Sequence, residues 1–270
     1  MDFLIHKKIV NHQFNSNDKH FVFIISSYNN EDYVNKNLNS VFKQTYKNWR
    51  IIYIDDASED NTSKNVKLLL NEESIFKNKV KLISNKTNMK QAYNRFNAYK
   101  LCEDQEIICF LDGDDWLYDE NVLLKLNEEY KTSEILLTYG SYIQLKNGES
   151  KLIKPITYGV LTIHKNLYRK NRKWVGIPMR TGYAFLYKYM PESNMKDHLG
   201  KWMSACTDVA EFLWAIECTK GYFKEINYPT YVYNTDASKR FSNSMFNLSD
   251  EQYQYRLQNS NKIYNYKPDN

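Results

Sequence analysis

Four short apolar runs, each followed by an amphipathic stretch, constrain the first half of the chain more than any other feature. "FVFIISSY" (21–28), "WRIIYIDDAS" (49–58), "KVKLISN" (79–85) and "EIICFLD" (106–112) are rich in β-branched and aromatic side chains and close on turn formers, the pattern of buried strands. Between them, Val34, Leu38, Val41 and Phe42 fall on one helical face, as do Val66, Leu69 and Leu70. Helices over 89–102 and around 121–131 continue the series. Strands alternating with helices require βαβ units. The expected class is therefore α/β, a mostly parallel sheet flanked by helices.

Such a sheet takes its ligands outside the carboxyl ends of the strands. Three of the four expected strands end there in polar residues: Ser26–Ser27–Tyr28, Asp55–Asp56, and Asp112 with Asp114 and Asp115. One acidic strand end is a solvated turn, whereas several on one edge make a negatively charged crevice. Crowded carboxylates repel one another and resist desolvation unless a metal ion, a basic side chain or water joins them. In Asp112-Gly113-Asp114, alternation sends both carboxylates the same way if the extended path continues. Gly113 permits a bend or the close approach of a ligand. Hard oxygen donors suit Mg²⁺ or Mn²⁺. An EF-hand is excluded, because the glycine comes too early and Leu123 stands where the terminal Glu belongs.

After about residue 135 the pattern changes. "ILLTYGSYIQL" reads as a strand, "GESKLIKPITYG" as a turn and connector, and "RTGYAFLYKYM" (180–190) as another strand. "CTDVAEFLWAIECTKG" (206–221) is a helix with Val209, Phe212, Leu213 and Ile216 inward, Thr207 as its side-chain cap and Gly221 as its C-cap. "YPTYVYNT" (228–235) is a short strand. A last helix follows, capped by Ser249 with Gln252 three positions on.

Composition removes several classes of function. The net charge of +5 is mild, the basic residues read as scattered, and no nucleic acid partner is expected. No stretch approaches the roughly 18 apolar residues of a membrane span. The first twenty residues lack the apolar core of a signal peptide, so a cytoplasmic setting is expected. Cys102, Cys109, Cys206 and Cys218 show no CxxC pair or metal spacing and read as reduced thiols. Sequons at Asn61, Asn85 and Asn247 are what an asparagine-rich chain produces by chance.

"FIISSYNNEDYVNKNLNSVFKQTYKNWRIIYIDDASEDNT", then "NKTNMKQAYNRF" and "ICFLDGDDWL", resemble the family 2 glycosyltransferases of the GT-A fold. The resemblance covers roughly residues 20 to 135 well and the remainder loosely. It implies a Rossmann-like GT-A sheet with a C-terminal acceptor-side extension. The expected divisions are an N-terminal segment (1–20), a nucleotide-sugar-binding half (21–135), an acceptor-binding half (136–248), and a C-terminal helix and tail (249–270).

By that resemblance Ser27 and Tyr28 line the base and ribose pocket and Asp55 accepts from the base, with Asp56 beside it fixing the turn. Asp112 reaches the ribose or the metal, Asp114 ligates the metal bridging the diphosphate, and Asp115 supports them or caps a helix. Asn88, Lys90 and Arg95 are placed to meet the nucleotide, although "NMKQAYNRFN" lacks the family's usual glycine and Ala-Arg-Asn. The family's catalytic acid at a helix start corresponds to Asp208, with Glu211 in reserve. Its metal-binding histidine is replaced here by Asn234, with Asp236 nearby, while Lys239 and Arg240 would neutralise the diphosphate. His164 and His198 read as satisfied or exposed.

The implied reaction is a Mn²⁺- or Mg²⁺-dependent transfer of a sugar, with inversion, from a nucleotide-sugar donor (a UDP-sugar) to a glycan, protein or lipid hydroxyl. One rival is a nucleotidyltransferase, which opens with a glycine-rich loop that "SSYNNEDY" lacks. The other is an inactive sugar-nucleotide or glycan-binding module.

Overall fold

The computed structural model describes residues 3–266 apart from 13, 16, 133 and 239–247. After α1 (Phe3–Val10) the chain alternates as expected through β1 (Phe21–Ser27), α2 (Val34–Phe42), β2 (Trp49–Asp55), α3 (Thr62–Glu72), β3 (Val80–Ser84), α4 (Lys90–Tyr99) and β4 (Ile107–Asp112). β1 lies between β2 and β4, parallel to both, and β3 pairs parallel with β2. Helices cover both faces, so the central strands are buried without alternation, Phe21 to Ile25 completely. Val34, Leu38, Val41 and Phe42 of α2, and Val66, Leu69 and Leu70 of α3, are all buried, as their spacing requires.

The second half departs from the sequence reading in several places. β5 (Trp116–Leu117) and α5 (Val122–Thr132) precede β6 (Leu137–Lys146), which turns at Asn147-Gly148 into β7 (Glu149–Ile153). A turn and connector were expected from Gly148 on; the turn forms, with Asn147 and Gly148 at φ +54° and +77°, the left-handed pair that closes two-residue hairpins, but a strand follows it. α6 (Val160–His164) and α7 (Tyr168–Asn171) follow.

The run 180–190 is a strand only over β8 (Thr181–Tyr183), and then coils into α8 (Ala184–Lys188). Ala184, Phe185, Leu186 and Tyr187 are all buried, so this apolar run has no periodicity by which to tell helix from strand. α9 (Thr207–Cys218) forms where expected. Its N-cap, however, is Cys206 at φ +64°, and no side chain caps it. β9 (Phe223–Asn234) starts five residues early because β6 gives it a parallel partner along its length. Register shifts around Pro229 carry the pairing from Gly140–Ile226 through Ser141–Pro229 to Tyr142–Tyr231. The bulged strand accommodates a proline that cannot donate to a ladder. α10 (Thr235–Ser238) and α11 (Asp250–Asn265) end the described chain, and α11 opens on the expected Ser249–Gln252 capping box.

The sheet runs β3-β2-β1-β4-β8-β6-β9-β5, with β7 also on β6. β8 is antiparallel to both β4 and β6, so the second half extends the sheet of the first.

Candidate active site

Register alone assembles the crevice. Asp55 lies opposite Ser27, and Ser26 opposite Asp112, so three adjacent strands present their polar ends along one edge. β4 stops at Asp112, and the chain turns back with the Asp115 amide donating to the Asp112 carbonyl at 3.2 Å. The extended path expected through the D-x-D is therefore not followed. A Cβ on Gly113 would lie 2.4 Å from Ser27 Oγ and 2.9 Å from Asn30 Nδ2. Of the two roles expected for Gly113, a bend or the close approach of a ligand, the chain does bend here, and the close neighbour is the protein's own β1 end.

Asp112 is fastened from α4. Its Oδ1 accepts from Arg95 at 2.6 Å and from Gln91 at 3.0 Å, and its side chain stays 34% exposed. Arg95, 1% exposed, reaches Glu211 Oε2 with its other arm at 2.9 Å. The Tyr99 hydroxyl hydrogen-bonds the second Glu211 oxygen. Burial raises the Glu211 pKa while Arg95 and Tyr99 pull it down. An ion pair this deep requires all its members in place. Glu211, the reserve candidate for a base, is thus a buried strut.

Asp208, one turn earlier on α9, is 43% exposed, with Oδ2 4.0 Å from the Arg180 guanidinium. Arg180 itself is buried and donates to the Gly176 carbonyl at 2.9 Å.

Asp115 is internal. Its carboxylate accepts from the Tyr231 hydroxyl and the Asn234 amide, both at 2.7 Å. The Asp112 amide in turn donates to the Tyr231 hydroxyl at 3.1 Å. Asn37 Nδ2 donates to the carbonyls of Asp112 (2.9 Å) and Asp115 (2.7 Å). Burial, then the neighbouring acids, push the Asp115 pKa well up. Asp114 is partly exposed; burial and then the Asp112 charge raise its pKa to about 7.

Of the two residues considered as ligands in place of a histidine, Asn234 lies against the acidic turn and Asp236 is engaged by the β6–β7 hairpin. Asn234 Nδ2 donates to the Asp114 carbonyl at 3.2 Å, and Asp236 accepts from the Asn147 (2.8 Å) and Gly148 (3.3 Å) amides of the hairpin. Lys239 and Arg240 lie outside the described residues, as does the Asn247 sequon.

Ser27 is buried and accepts from Asn30 Nδ2 at 3.1 Å, while Tyr28 is half-buried just beyond β1. Asp55 is buried, with Oδ1 3.4 Å from the Ser58 amide. Both oxygens of Asp56 are occupied, by Asn85 Nδ2 and the Met89 amide at 2.8 Å and by the Lys90 amide at 2.9 Å. Asn88 accepts from the Lys90 amide at 3.2 Å, and Lys90, at φ +73°, leaves its side chain in solvent. His164 is exposed, and His198 Nδ1 lies 3.2 Å from Asn259 Oδ1. The four cysteines are free.

Among the described residues no group of three or more His, Cys, Asp or Glu could hold a metal ion by itself. Asp112 and Asp114 still suit a hard cation as a partial donor set. They are close enough for one charge to raise the other's pKa, both are partly exposed, and one Asp112 oxygen makes no hydrogen bond among the described residues. Further oxygens would have to come from a bound phosphate or water.

Solved glycosyltransferases share this sheet, the GT-A fold. S. aureus TarS (residues 1–349, in complex with UDP) superposes with TM-score 0.57 at 19% identity, covering 80% of this chain and 60% of that one. Glucosyl-3-phosphoglycerate synthase from Mycobacterium tuberculosis, in complex with Mn²⁺, UDP and phosphoglyceric acid, gives 0.56 at 11% identity over 98% and 82%.

The chain belongs to glycosyl transferase family 2, whose sequence profile matches residues 22–194. Escherichia coli WfgD, a UDP-Glc:alpha-D-GlcNAc-diphosphoundecaprenol beta-1,3-glucosyltransferase, is 34% identical over 142 residues, 51% of this chain and 53% of that protein. Glycosyltransferase GlyA of Streptococcus pneumoniae is 24% identical over 194 residues, 68% of this chain and 26% of that protein. The chain thus spans about half or less of the length of these relatives.

Proposed function

We propose that this chain transfers a sugar from a UDP-linked donor to an acceptor hydroxyl on a glycan, protein or lipid, with divalent-cation dependence and inversion at the anomeric carbon. The observation that carries the reading is the buried Asp112–Arg95–Glu211 bridge, which ties the donor-side carboxylate to the helix bearing Asp208. UDP in the TarS structure and the UDP-Glc donor in the WfgD name support the nucleotide.

In this reading Ser27, Tyr28 and Asp55 receive the base and ribose. Asn88 and Lys90 stand by the nucleotide on the loop that Asp56 fixes. Asp112 and Asp114 would hold Mn²⁺ or Mg²⁺, which when bound neutralises charge on the departing diphosphate. Arg95 holds Asp112 in place. Asp208, half-exposed beside Arg180, takes the acceptor proton as the oxygen attacks the face opposite the diphosphate, and a single displacement of this kind inverts the centre.

The test is UDP release from UDP-glucose and UDP-N-acetylglucosamine in the presence of candidate acceptors, with parent and Asp208→Asn protein. Asn keeps the shape and removes the proton acceptor. Turnover should fall about 10²–10⁴-fold with donor affinity nearly unchanged. Full turnover in Asp208→Asn would remove the base from this position, and absence of any nucleotide-sugar binding would remove the reading altogether.

A further inference from the structure

The chain's positive charge is concentrated in one excursion. Residues 150–173 hold seven of the 37 Lys and Arg and none of the 32 Asp and Glu. The rest of the chain, with 30 basic against 32 acidic residues, is net negative by two. Arg169 is internal, paired with Glu217 at 2.8 Å. The other six, Lys151, Lys154, Lys165, Lys170, Arg172 and Lys173, are exposed and form no ion pair among the described residues.

Among these cations stand apolar side chains that a water-facing surface does not need. Val160 is 84% exposed and Leu161 61%, with Leu152 and Ile156 also in solvent. The excursion is a folded part of the surface. The Tyr158 hydroxyl donates to the Lys173 carbonyl at 3.0 Å, Lys173 Nζ to the Thr157 carbonyl at 3.1 Å, and the Tyr158 and Tyr168 rings meet edge-on. It runs from β7, where Lys151 pairs with Gln144, to α6, whose Ile163 packs near Gly221 just before β9. Asn234, at the other end of β9, touches the acidic turn. The excursion therefore runs along one flank, from Lys151, level with Tyr233 near the acidic turn, to α6 at the far end of β9.

We propose that this excursion is a docking surface for an anionic lipid bilayer, with the lysines and Arg172 among the headgroups and Val160 and Leu161 at the acyl boundary. Cations without carboxylate partners supply long-range attraction, and protruding aliphatic side chains supply a short-range contact that a soluble polyanion would not reward. Single-stranded nucleic acid is the poorer fit, because it calls for exposed stacking rings and the excursion's two tyrosines, Tyr158 and Tyr168, are buried. No helix among the described residues is long and apolar enough to cross a membrane, so the contact is one of surface attachment. The inference does not depend on the transfer reaction.

The test is co-sedimentation of the full chain with phosphatidylcholine vesicles, with and without phosphatidylglycerol. Binding is expected only with the anionic lipid and should weaken in high salt. Replacing Lys151, Lys154, Lys165 and Lys170 by Gln should weaken it by about two to three orders of magnitude, at roughly fivefold per cation. Val160→Asn with Leu161→Asn should weaken it about tenfold or more. A charge-matched control, with Gln at the exposed Lys64, Lys67, Lys77 and Lys86, should change it less than about fivefold. All substituted side chains are exposed, and thermal melts establish that each variant folds. The proposal is overturned if the parent ignores phosphatidylglycerol, or if the control loses as much as the patch variant. It is equally overturned if the Val160/Leu161 variant binds as the parent does, which would leave only adsorption of a polyanion.

Discussion

Gly113 holds the crevice together by what it lacks. Any side chain there meets Ser27 Oγ and Cβ within 2.7 Å. Gly113→Ala should therefore destabilise the fold by about 1–3 kcal/mol, the usual penalty for overpacking, and lower nucleotide affinity because Ser27 must shift. Chemical denaturation and UDP titration measure the two effects. Asp114→Ala is the contrasting case, since among the described residues that side chain makes no hydrogen bond beyond its own backbone. The fold should persist, while UDP affinity should lose its response to Mn²⁺ in calorimetric titration. An unchanged response would take the metal away from Asp114. At this scale the sequence was partly legible. The carboxylates announce themselves by spacing, and helix periodicity places Asp208 on the first turn of α9. Asn37, Gln91, Arg180 and Tyr231 were not legible as partners of the site. They reach it from remote elements, and nothing next to them in the chain marks the contact.

The elements of the first half were readable because each has a clear period and clear ends. Those of the second half were misread where one signal was absent. The apolar run 180–190 has no period, the exposed residues after the Asn147-Gly148 turn form a strand only because β6 pairs with them, and the length of β9 is set by β6 rather than by its own residues. The start of β4 allows a test of electrostatics at this level. Burial alone would raise the Glu106 pKa. Hydrogen bonds from Arg50 on β2 (2.8 and 2.7 Å), from His20 and from the Glu103 amide outweigh it and hold the carboxylate down to about 2, against an ordinary 4.5. A depressed carboxylate contributes stability that is complete above 4.5 and lost as pH falls from 4.5 toward 2. Glu106→Gln should be less stable at neutral pH and show a flatter decline across that window. Parallel stability–pH curves for the two proteins would mean the charge plays no part.

At the scale of the whole molecule, Arg95 joins what the sequence divides near residue 135. It sits on α4, binds the end of β4 and anchors α9, whose first turn carries Asp208. Arg95→Leu leaves Glu211 buried without its cation and should cost about 3–5 kcal/mol, measured by denaturant titration. Arg95→Leu combined with Glu211→Leu should recover part of that loss. If the double variant is no better than the single, the ion pair is not what fastens the halves. The uneven sharing of charge between residues 150–173 and the rest has a further consequence, and it is kinetic. A body positive along one flank and net negative elsewhere feels a torque in the field of any charged interface, and that field reaches about a Debye length into solution. Such a molecule is turned before it touches. Its encounters with an anionic surface would begin in one orientation, and the fraction that are productive would depend on ionic strength even where the final contact is apolar.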